Sequence, residues 1–545
     1  MRADLTQTGG GLCSSREMWW RFPDEPEAKT GEQLLQQHQW GGSPGPTPLE
    51  RFKRALSFSR LAMFEKAVAE FNRFLAQAPH SPKYREGQYR LALSLARLKR
   101  YKQAEKLFHQ LSTSHSTWTG RATIWLARTY LREEKGPELL ALEKNLQTRH
   151  LTGDQQALIH IFAGVWLKDQ DHPLQAKQAF RRAAKIARSV SRQLDALWRM
   201  GWLSYQEGNF QQASSTFEKI RSFQEKSNGW AQATYWMARA MDHVKQNRRA
   251  QSLYREIARE RPFTLYGQLA HTHLRQPEVD LASTTFLPPP SSEKGSMKLR
   301  HHVHYRKAVL LSDLHLYQEA LYELNHLTTT FVSDKEVIMD LLRLAEKARA
   351  FQVGIQLAVR NFGEELQEAF LPELVPIWKA AYPGGYVPII QEYARTGIDP
   401  YLVAGLIREE SLYDGRATSP VGALGLMQLM PTTAKVVATR LGLPAPRREA
   451  LFDTHLNIQL GTAYVTRLLR KFKGNLVYTV AAYNAGPKAV QHWIANNSHR
   501  EPDEFMELIA YRETRQYVKR VLTSYRLYRM LFSPPCRAPS LDTSC

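Results

Sequence analysis

The chain has 545 residues, which is enough for roughly three to four domains of about 150 residues and at least one large core. Hydrophobic residues make up 43% and charged residues 23% of the sequence, a composition that excludes a disordered or collagen-like chain. Lys and Arg number 74 against 52 Asp and Glu, for a formal net charge of +22. An excess of this size indicates an anionic partner, such as a charged polymer.

The two terminal segments contain all the cysteines, Cys13, Cys536 and Cys545. Neither a disulfide framework nor a cysteine-pair zinc site is therefore expected. A Cys536–Cys545 bridge and two solvent-exposed thiols both remain open. Residues 1–48 are expected to be poorly ordered, and they lack the apolar core of about 7–15 residues that is typical of a secretory signal. No run of about 18 apolar residues indicates a membrane-spanning helix.

Residues 49–380 have the pattern of a helical repeat. Apolar residues recur every three or four positions, which is the periodicity of amphipathic helices. A short pattern recurs with a period of 36–37 residues, starting at Phe64, Tyr101, Pro173, Phe210 and Asn247. It consists of an aromatic or turn residue, an Ala three positions later and a large apolar residue four positions after the Ala. A two-helix hairpin cannot bury its own apolar face and must stack on neighbouring hairpins. The pattern therefore predicts a solenoid of hairpins that loosely resemble tetratricopeptide repeats, with a Pro/Ser-rich break at 286–292.

A second kind of helix follows the break in pattern at 381–386. Asp399 suits the N-cap and Pro400 the first helical position. The apolar residues of this helix share one side, and they are Leu402, Val403, Leu406 and Ile407. Glu410 lies at the end of that stripe, where apolar neighbours disfavour the charged form and raise the pKa of a carboxyl. Such a group can donate a proton near neutral pH.

The surroundings of Glu410 leave a structural alternative open. A buried carboxylate that bonds a backbone group would fit the same spacing. Its neighbour Glu409 is rotated by about 100° around the helix and is expected to face solvent or form a salt bridge.

Three later segments place polar side chains among apolar residues. Gly425 permits a tight turn, and the isolated Gln428 needs hydrogen-bond partners, which either a sugar or the backbone can supply. Tyr483 and Asn484 end an apolar helix, and Glu513 precedes a basic amphipathic helix. No serine-protease order, phosphate loop or HExxH pattern occurs, and no metal site is expected. Without a zinc, helix-turn-helix or RNP motif, no nucleic-acid partner is expected either.

Four ordered motifs together resemble the soluble lytic transglycosylases of bacteria, and they are Glu410-Ser411, Gly425-Leu-Met-Gln428, Ala482-Tyr-Asn-Ala-Gly486 and Glu513-Thr-Arg-x-Tyr-Val518. The resemblance is specific over 381–532, architectural over 49–380 and absent over 1–48. It implies an all-α chain, in which an α-superhelical solenoid or ring of hairpins precedes a mainly helical, goose-lysozyme-like catalytic domain. Residues 533–545 would form a C-terminal tail.

The resemblance also implies a reaction. Glu410 would be the single general acid/base, protonating the glycosidic oxygen between N-acetylmuramic acid and N-acetylglucosamine of peptidoglycan. It would then take the proton of the muramoyl 6-hydroxyl, which closes a 1,6-anhydro ring without hydrolysis or a cofactor. Substrate-binding positions carried over from the family are Ser419, Gln428, Met430, Tyr483, Asn484 and Glu513. The substrate implies a location in the periplasm or cell envelope.

Two other functions fit the same sequence. One is a hydrolytic muramidase of the same fold, in which Asp414 or Glu513 activates water beside Glu410. The other is a non-catalytic peptidoglycan-binding scaffold whose helical part recruits partner proteins.

Overall fold

The computed structural model describes residues 9–37, 40, 45–223, 227–275, 293–331, 335–368, 374–394 and 397–533. The predicted all-α class is confirmed, and β structure within these ranges is limited to isolated antiparallel bridges that pair Leu424 with Thr418 and with Leu429. None of the helices described combines the length and the apolar character needed to cross a membrane. The break at 286–292 and the two C-terminal cysteines lie outside the described residues.

The chain divides into two compact units, residues 1–223 and 224–545. The helices of the first unit are α1 (Gly9–Arg21), α2 (Pro26–Gln37), α3 (Pro48–Arg60), α4 (Phe64–Gln77), α5 (Tyr84–Arg97), α6 (Tyr101–Ser112), α7 (Thr119–Arg132), α8 (Gly136–Lys144), α9 (Gly153–Asp169), α10 (Pro173–Ile186), α11 (Val190–Gln206) and α12 (Phe210–Phe223). Consecutive helices pair as hairpins, and α9 lies beside both α7 and α11, so first helices of successive hairpins line one side of the stack.

The repeat pattern marks the seams between the helices of the first unit. Its small and large positions are fully or almost fully buried, and they are Ala67, Phe71, Ala104, Phe108, Ala176, Phe180, Ala213 and Phe217. Ala lets the paired helices approach closely, while the aromatic ring fills the space beside it. The prediction of stacked helical hairpins is confirmed here.

The expectation that residues 1–48 are poorly ordered stays a prediction, and the described part of this segment includes α1 and α2. Trp19 and Trp40 pack edge to face at 5.1 Å between ring centroids. The guanidinium of Arg54 in α3 lies 4.0 Å from the ring centroid of Trp19, and Arg16 forms a 2.8 Å ion pair with Glu50. A cation–π contact and an ion pair therefore attach α1 to α3 of the first hairpin.

The second unit contains the remaining helices. They are α13 (Asn228–His243), α14 (Asn247–Glu260), α15 (Leu265–Leu274), α16 (Glu293–Arg300), α17 (Val303–Asp313), α18 (Tyr317–Thr330), α19 (Lys335–Lys347), α20 (Phe351–Phe362), α21 (Glu365–Glu368), α22 (Val375–Ala381), α23 (Val387–Tyr393), α24 (Pro400–Ser411), α25 (Pro431–Arg440), α26 (Thr454–Lys471), α27 (Leu476–Ala485), α28 (Pro487–Asn497), α29 (Pro502–Leu508) and α30 (Arg512–Phe532).

Helices α24 and α30 pack along each other in the centre of the second unit. A side chain at Gly405 would lie 3.0 Å from the backbone nitrogen of Tyr525, so glycine permits this close approach. Asp399 caps α24 as predicted, since its carboxylate accepts a 2.9 Å hydrogen bond from the backbone N–H of Tyr401. The same carboxylate accepts a hydrogen bond from the Tyr525 hydroxyl at 2.9 Å.

The expected domain boundary between residues 380 and 381 falls inside the second unit and stays a prediction. Trp378 from α22 is fully buried in one core with Leu527 and Leu531 from α30. Tyr266 from α15 donates a 2.6 Å hydrogen bond to the buried carboxylate of Glu507. Helices on both sides of the expected boundary thus share one core and a buried polar network.

Candidate active site

Glu410 occupies the last turn of α24, at the end of a buried apolar stripe. The four apolar residues that define the stripe are at most 1% exposed, and they are Leu402, Val403, Leu406 and Ile407. Burial raises the pKa of Glu410 to about 7, opposed by a hydrogen bond from Tyr517 and by the charge of Arg520, and reinforced by the charge of Glu409. At neutral pH the carboxyl is therefore present in both protonation states.

Two tyrosines from different helices lie beside this carboxyl. The Tyr517 hydroxyl in α30 donates a 2.5 Å hydrogen bond to Oε1 of Glu410. The Tyr483 hydroxyl in α27 donates instead to the backbone oxygen of Met427 at 2.8 Å. Burial and the charge of Glu410 raise the pKa of both phenols well above the usual range. Both tyrosines therefore stay neutral donors at physiological pH.

The neighbouring Glu409 forms salt bridges, which is one of its two expected environments. Its carboxylate accepts hydrogen bonds from Arg408 at 2.6 Å, Ser524 at 2.8 Å and Arg520 at 3.0 Å. Its side chain is only 7% exposed. Glu409 is therefore a structural counter-ion rather than a free base.

The turn between α24 and α25 is held by a buried amide from α26. The side-chain oxygen of Asn457 accepts a 2.8 Å hydrogen bond from the N–H of Met427. Its nitrogen donates to the backbone oxygens of Leu424 at 3.1 Å and Leu451 at 2.7 Å. A Cβ at Gly425 would lie 2.4 Å from the Asn457 nitrogen, in a backbone conformation with φ of +73°. The close approach expected of that glycine is thus observed.

Gln428 lies in the same turn, with a φ of +46°. Its side-chain nitrogen donates to the backbone oxygens of Ala417 at 3.1 Å and Gly425 at 2.9 Å. A sugar and the backbone are the two expected sources of hydrogen-bond partners for Gln428. The structure shows backbone partners for the amide nitrogen. Its amide oxygen accepts no hydrogen bond from the residues that the structure describes.

The other expected binding residues lie in the turn between α24 and α25 and in α27. The Ser419 hydroxyl accepts a 2.9 Å hydrogen bond from the N–H of Ala423, and Met430 is 38% exposed. Asn484 is exposed, and its side-chain oxygen accepts a 2.7 Å hydrogen bond from Thr514.

The two acids considered as a second catalytic group have other environments. Glu513 is exposed in the first turn of α30. Asp414 accepts a 2.9 Å hydrogen bond from the backbone N–H of Arg416. Neither makes a contact with Glu410 within the described part of the chain.

Sequence reasoning missed two residues that shape this site. Tyr517 belongs to the Glu513–Val518 motif, yet its hydroxyl was not singled out as the partner of Glu410. Asn457 is an amide next to apolar residues of an amphipathic helix, and an amide buried on that side needs hydrogen-bond partners. Both residues contact groups that are far away in the sequence. The spacing of residues within one helix does not reveal such contacts.

The fold and the site define a class: a helical-repeat protein that carries a lysozyme-like domain. Residues 388–506 match the model of the transglycosylase SLT domain, and residues 51–81, 86–117 and 195–223 match tetratricopeptide repeats. The resemblance to soluble lytic transglycosylases that the four motifs predict is therefore confirmed.

Curated relatives resemble the chain over about a third of its length. The soluble lytic murein transglycosylase of Salmonella typhimurium is 36% identical over 191 residues, which cover 34% of this chain and 30% of the relative. The Escherichia coli K12 protein of the same description is 33% identical over 192 residues, covering 35% and 28%. The match thus spans less than a third of the length of these relatives.

Solved structures share the fold along most of the chain. An inactive mutant of lytic transglycosylase Slt from Pseudomonas aeruginosa aligns with a TM-score of 0.66 and 22% identity, over 97% of this chain and 80% of that one. The 70 kDa soluble lytic transglycosylase of Escherichia coli aligns with a TM-score of 0.64 and 20% identity, over 96% and 78%.

Proposed function

We propose that this chain is a peptidoglycan lytic transglycosylase. It would cleave the β-1,4 bond between N-acetylmuramic acid and N-acetylglucosamine without water and leave a 1,6-anhydro-muramoyl end. Glu410 would be the single general acid/base. The observation that carries the proposal is a carboxyl with a pKa of about 7 in a domain that matches the transglycosylase SLT model.

The first proton transfer needs a protonated carboxyl. With a pKa of about 7, roughly half of the Glu410 side chains carry a proton at neutral pH, whereas an ordinary glutamate carries almost none. Protonation of the glycosidic oxygen lets the bond to the muramoyl carbon break. In the proposed reaction the 2-acetamido group of the sugar stabilises the resulting cationic carbon, so no carboxylate nucleophile is required.

The second proton transfer needs the carboxylate that the first one leaves. The Tyr517 hydroxyl, 2.5 Å from Oε1, stabilises this charged form. Glu410 then takes the proton of the muramoyl 6-hydroxyl as its oxygen closes on the cationic carbon. One carboxyl thus serves as acid and then as base, and it returns to its protonated state.

The surroundings of the other acids favour this route over hydrolysis. A hydrolytic enzyme of the two-carboxylate type positions a second carboxylate beside the scissile bond. Asp414 is bonded to backbone, Glu513 is exposed, and Glu409 is neutralised by two arginines. Each of these acids therefore has an environment unlike that of a water-activating base next to Glu410.

Digestion of purified sacculi followed by mass spectrometry of the released fragments tests the proposal. Anhydro ends are lighter than hydrolysed ends by one water, so the expected products identify a lyase. E410Q should abolish release while retaining binding to sacculi. E392Q changes an exposed glutamate of α23 in the same way and should release fragments at the rate of the unmodified protein.

Each other outcome overturns a specific part of the proposal. Products with reducing, hydrolysed ends would indicate the muramidase. Binding without any release by the unmodified protein would indicate the scaffold. Release by a correctly folded E410Q variant would exclude Glu410 as the acid/base.

The proposed substrate also sets the expected location and partner. Peptidoglycan lies outside the cytoplasmic membrane, so the protein would work in the periplasm or cell envelope, and its net charge of +22 suits an anionic polymer. N-terminal sequencing of the mature protein recovered from a cell-envelope fraction tests this location. Recovery only from cytoplasm would contradict it.

A further inference from the structure

An unusual concentration of arginines lies on the first helices of the hairpins in the first unit. We call it the arginine surface and define it by Arg97 of α5 and Arg121, Arg128 and Arg132 of α7. The three residues of α7 are spaced by seven and four positions, which places them on one side of the helix. Arg128 also lies within electrostatic range of Arg97 and Arg132, and of Arg192 at the edge of the surface.

No acid pairs with these arginines among the described residues. Within the part of the chain that the structure describes, the four residues of the arginine surface form neither an ion pair nor a side-chain hydrogen bond. Burial and the positive charges of Arg132, Arg97 and Arg192 lower the pKa of Arg128. Like charges held together in a partly buried place oppose folding. A ligand that supplies negative charge would remove this repulsion.

Two acids on neighbouring parts of the hairpins have other partners. Glu86 in the first turn of α5 pairs with Lys83 at 3.0 Å and Arg90 at 3.5 Å. Asp154 accepts hydrogen bonds from the backbone N–H groups of Arg188 and Ser189, and Arg192 lies within its electrostatic range. Neither acid forms an ion pair with the four arginines.

The guanidinium groups of two of these arginines lie over aromatic rings. Arg128 lies 4.5 Å from the ring centroid of Trp125 and 5.5 Å from that of Phe162. Arg121 lies 5.1 Å from the ring centroid of Trp118. A stacked guanidinium keeps the N–H groups on its edge available, and that edge matches the two oxygens of a carboxylate.

The rings of Trp118 and Trp125 are half-buried and already contact other groups. Trp125 carries Arg128 and also stacks on Phe108 at 6.0 Å with an interplanar angle of 17°. Trp118 contacts Arg121, and Tyr89 lies 4.9 Å away. Sugars and nucleobases need open aromatic faces to stack on, whereas a carboxylate needs only the guanidinium edges.

We propose that the arginine surface binds an acidic segment of a partner protein, through several Asp or Glu carboxylates. Stacked helical hairpins present extended binding surfaces, and this one has the charge complementary to such a segment. The proposal does not depend on the reaction assigned to the second unit.

A fluorescein-labelled decapeptide of glutamate, followed by fluorescence anisotropy with the full chain, provides the probe. The test variant R97Q/R121Q/R132Q removes three exposed charges and keeps the half-buried Arg128, so that its stacking on Trp125 is preserved. The control variant K102Q/K106Q/R181Q removes three exposed charges from the second helices α6 and α10. Circular dichroism verifies that both variants are folded.

The test variant should bind the glutamate peptide at least tenfold more weakly, while the control variant changes affinity by less than twofold. A glutamine decapeptide should not bind. Equal losses in the two variants, or equal affinity for both peptides, would overturn the proposal. Loss of sacculus binding by the test variant, with glutamate binding retained, would overturn it in favour of a glycan surface.

Discussion

Glu409 and Glu410 are consecutive residues whose carboxylates have opposite surroundings. Glu409 accepts hydrogen bonds from Arg408, Arg520 and Ser524. The one side-chain hydrogen bond described for Glu410 comes from the neutral hydroxyl of Tyr517. Consecutive residues of a helix are rotated by about 100° about its axis. This rotation places Glu409 among arginines as a counter-ion, while Glu410 exchanges protons near neutral pH.

Tyr517→Phe should change the pH dependence of the reaction. The lost hydrogen bond favours the charged form of Glu410, so its removal raises the pKa of Glu410 further. The alkaline limb of the pH–rate profile should therefore move to higher pH. The rate should fall by roughly tenfold, because the carboxylate that forms when Glu410 protonates the glycosidic oxygen loses about 1.5 kcal/mol of stabilisation. Sacculus solubilisation measured from pH 5 to about pH 9 checks this.

The matched control is Tyr511→Phe, which removes an exposed hydroxyl at the N-cap of α30. Its pH–rate profile should superimpose on that of the unmodified protein. If the alkaline limb of Tyr517→Phe does not move, the hydrogen bond from this phenol does not lower the pKa of Glu410.

Glu410→Gln should stabilise the protein at high pH. A raised pKa means that the folded state holds this proton more tightly than the unfolded state does, so stability falls as pH rises from 4.5 towards about 7. The loss reaches at most about 3 kcal/mol above that range. The variant should thus melt at a higher temperature at pH 8 and at nearly the same temperature at pH 4.

Calorimetry at the two pH values measures this difference, with Glu392→Gln as the exposed control. An equal change of melting temperature at both pH values would show that the pKa of Glu410 is not raised in the folded protein.

Glu409→Gln should destabilise the second unit. The side chain of Arg408 is 11% exposed and lies over Tyr382, 4.3 Å from the ring centroid. In the variant it would lose its charged partner Glu409 and keep the hydrogen bond that it donates to the backbone oxygen of Ala381. Removal of one partner of a buried ion pair costs about 3 kcal/mol or more. Urea unfolding followed by circular dichroism should show an earlier transition for this variant. Glu513→Gln, which changes an exposed carboxylate, should stay within about 0.5 kcal/mol of the unmodified protein.

Local features of the fold could be predicted from the sequence because they depend on neighbouring residues. The apolar stripe that ends at Glu410 and the cap at Asp399 follow from helix geometry, and both are observed. Contacts between distant segments could not be predicted in this way. Tyr517 is 107 residues from Glu410 in the sequence, and only the packing of α30 on α24 brings the two side chains together.

The N-terminal segment shows the same limit. Its composition favours poor order, which stays a prediction for residues 1–48, and among the described residues Trp19 lies against Trp40 and Arg54. Average composition does not reveal these two contacts, because each depends on particular residues and their positions in space.

Asn457→Ala tests whether the turn that carries Gln428 must be rigid. Asn457 is 1% exposed and forms three hydrogen bonds with backbone groups, so its truncation leaves a buried N–H and two buried carbonyl groups without their partner. One such unsatisfied group costs about 1–3 kcal/mol, and we expect a total loss of roughly 3 kcal/mol in urea unfolding.

The same change should reduce activity without moving its pH profile. Met427 accepts the hydrogen bond of Tyr483, so a loosened turn disturbs residues around the carboxyl, while Tyr517 and the buried stripe that set the pKa of Glu410 remain. Asn496→Ala, at an exposed position of α28, is the matched control and should preserve both stability and rate. A shifted alkaline limb in Asn457→Ala would show instead that the turn contributes to the pKa of Glu410.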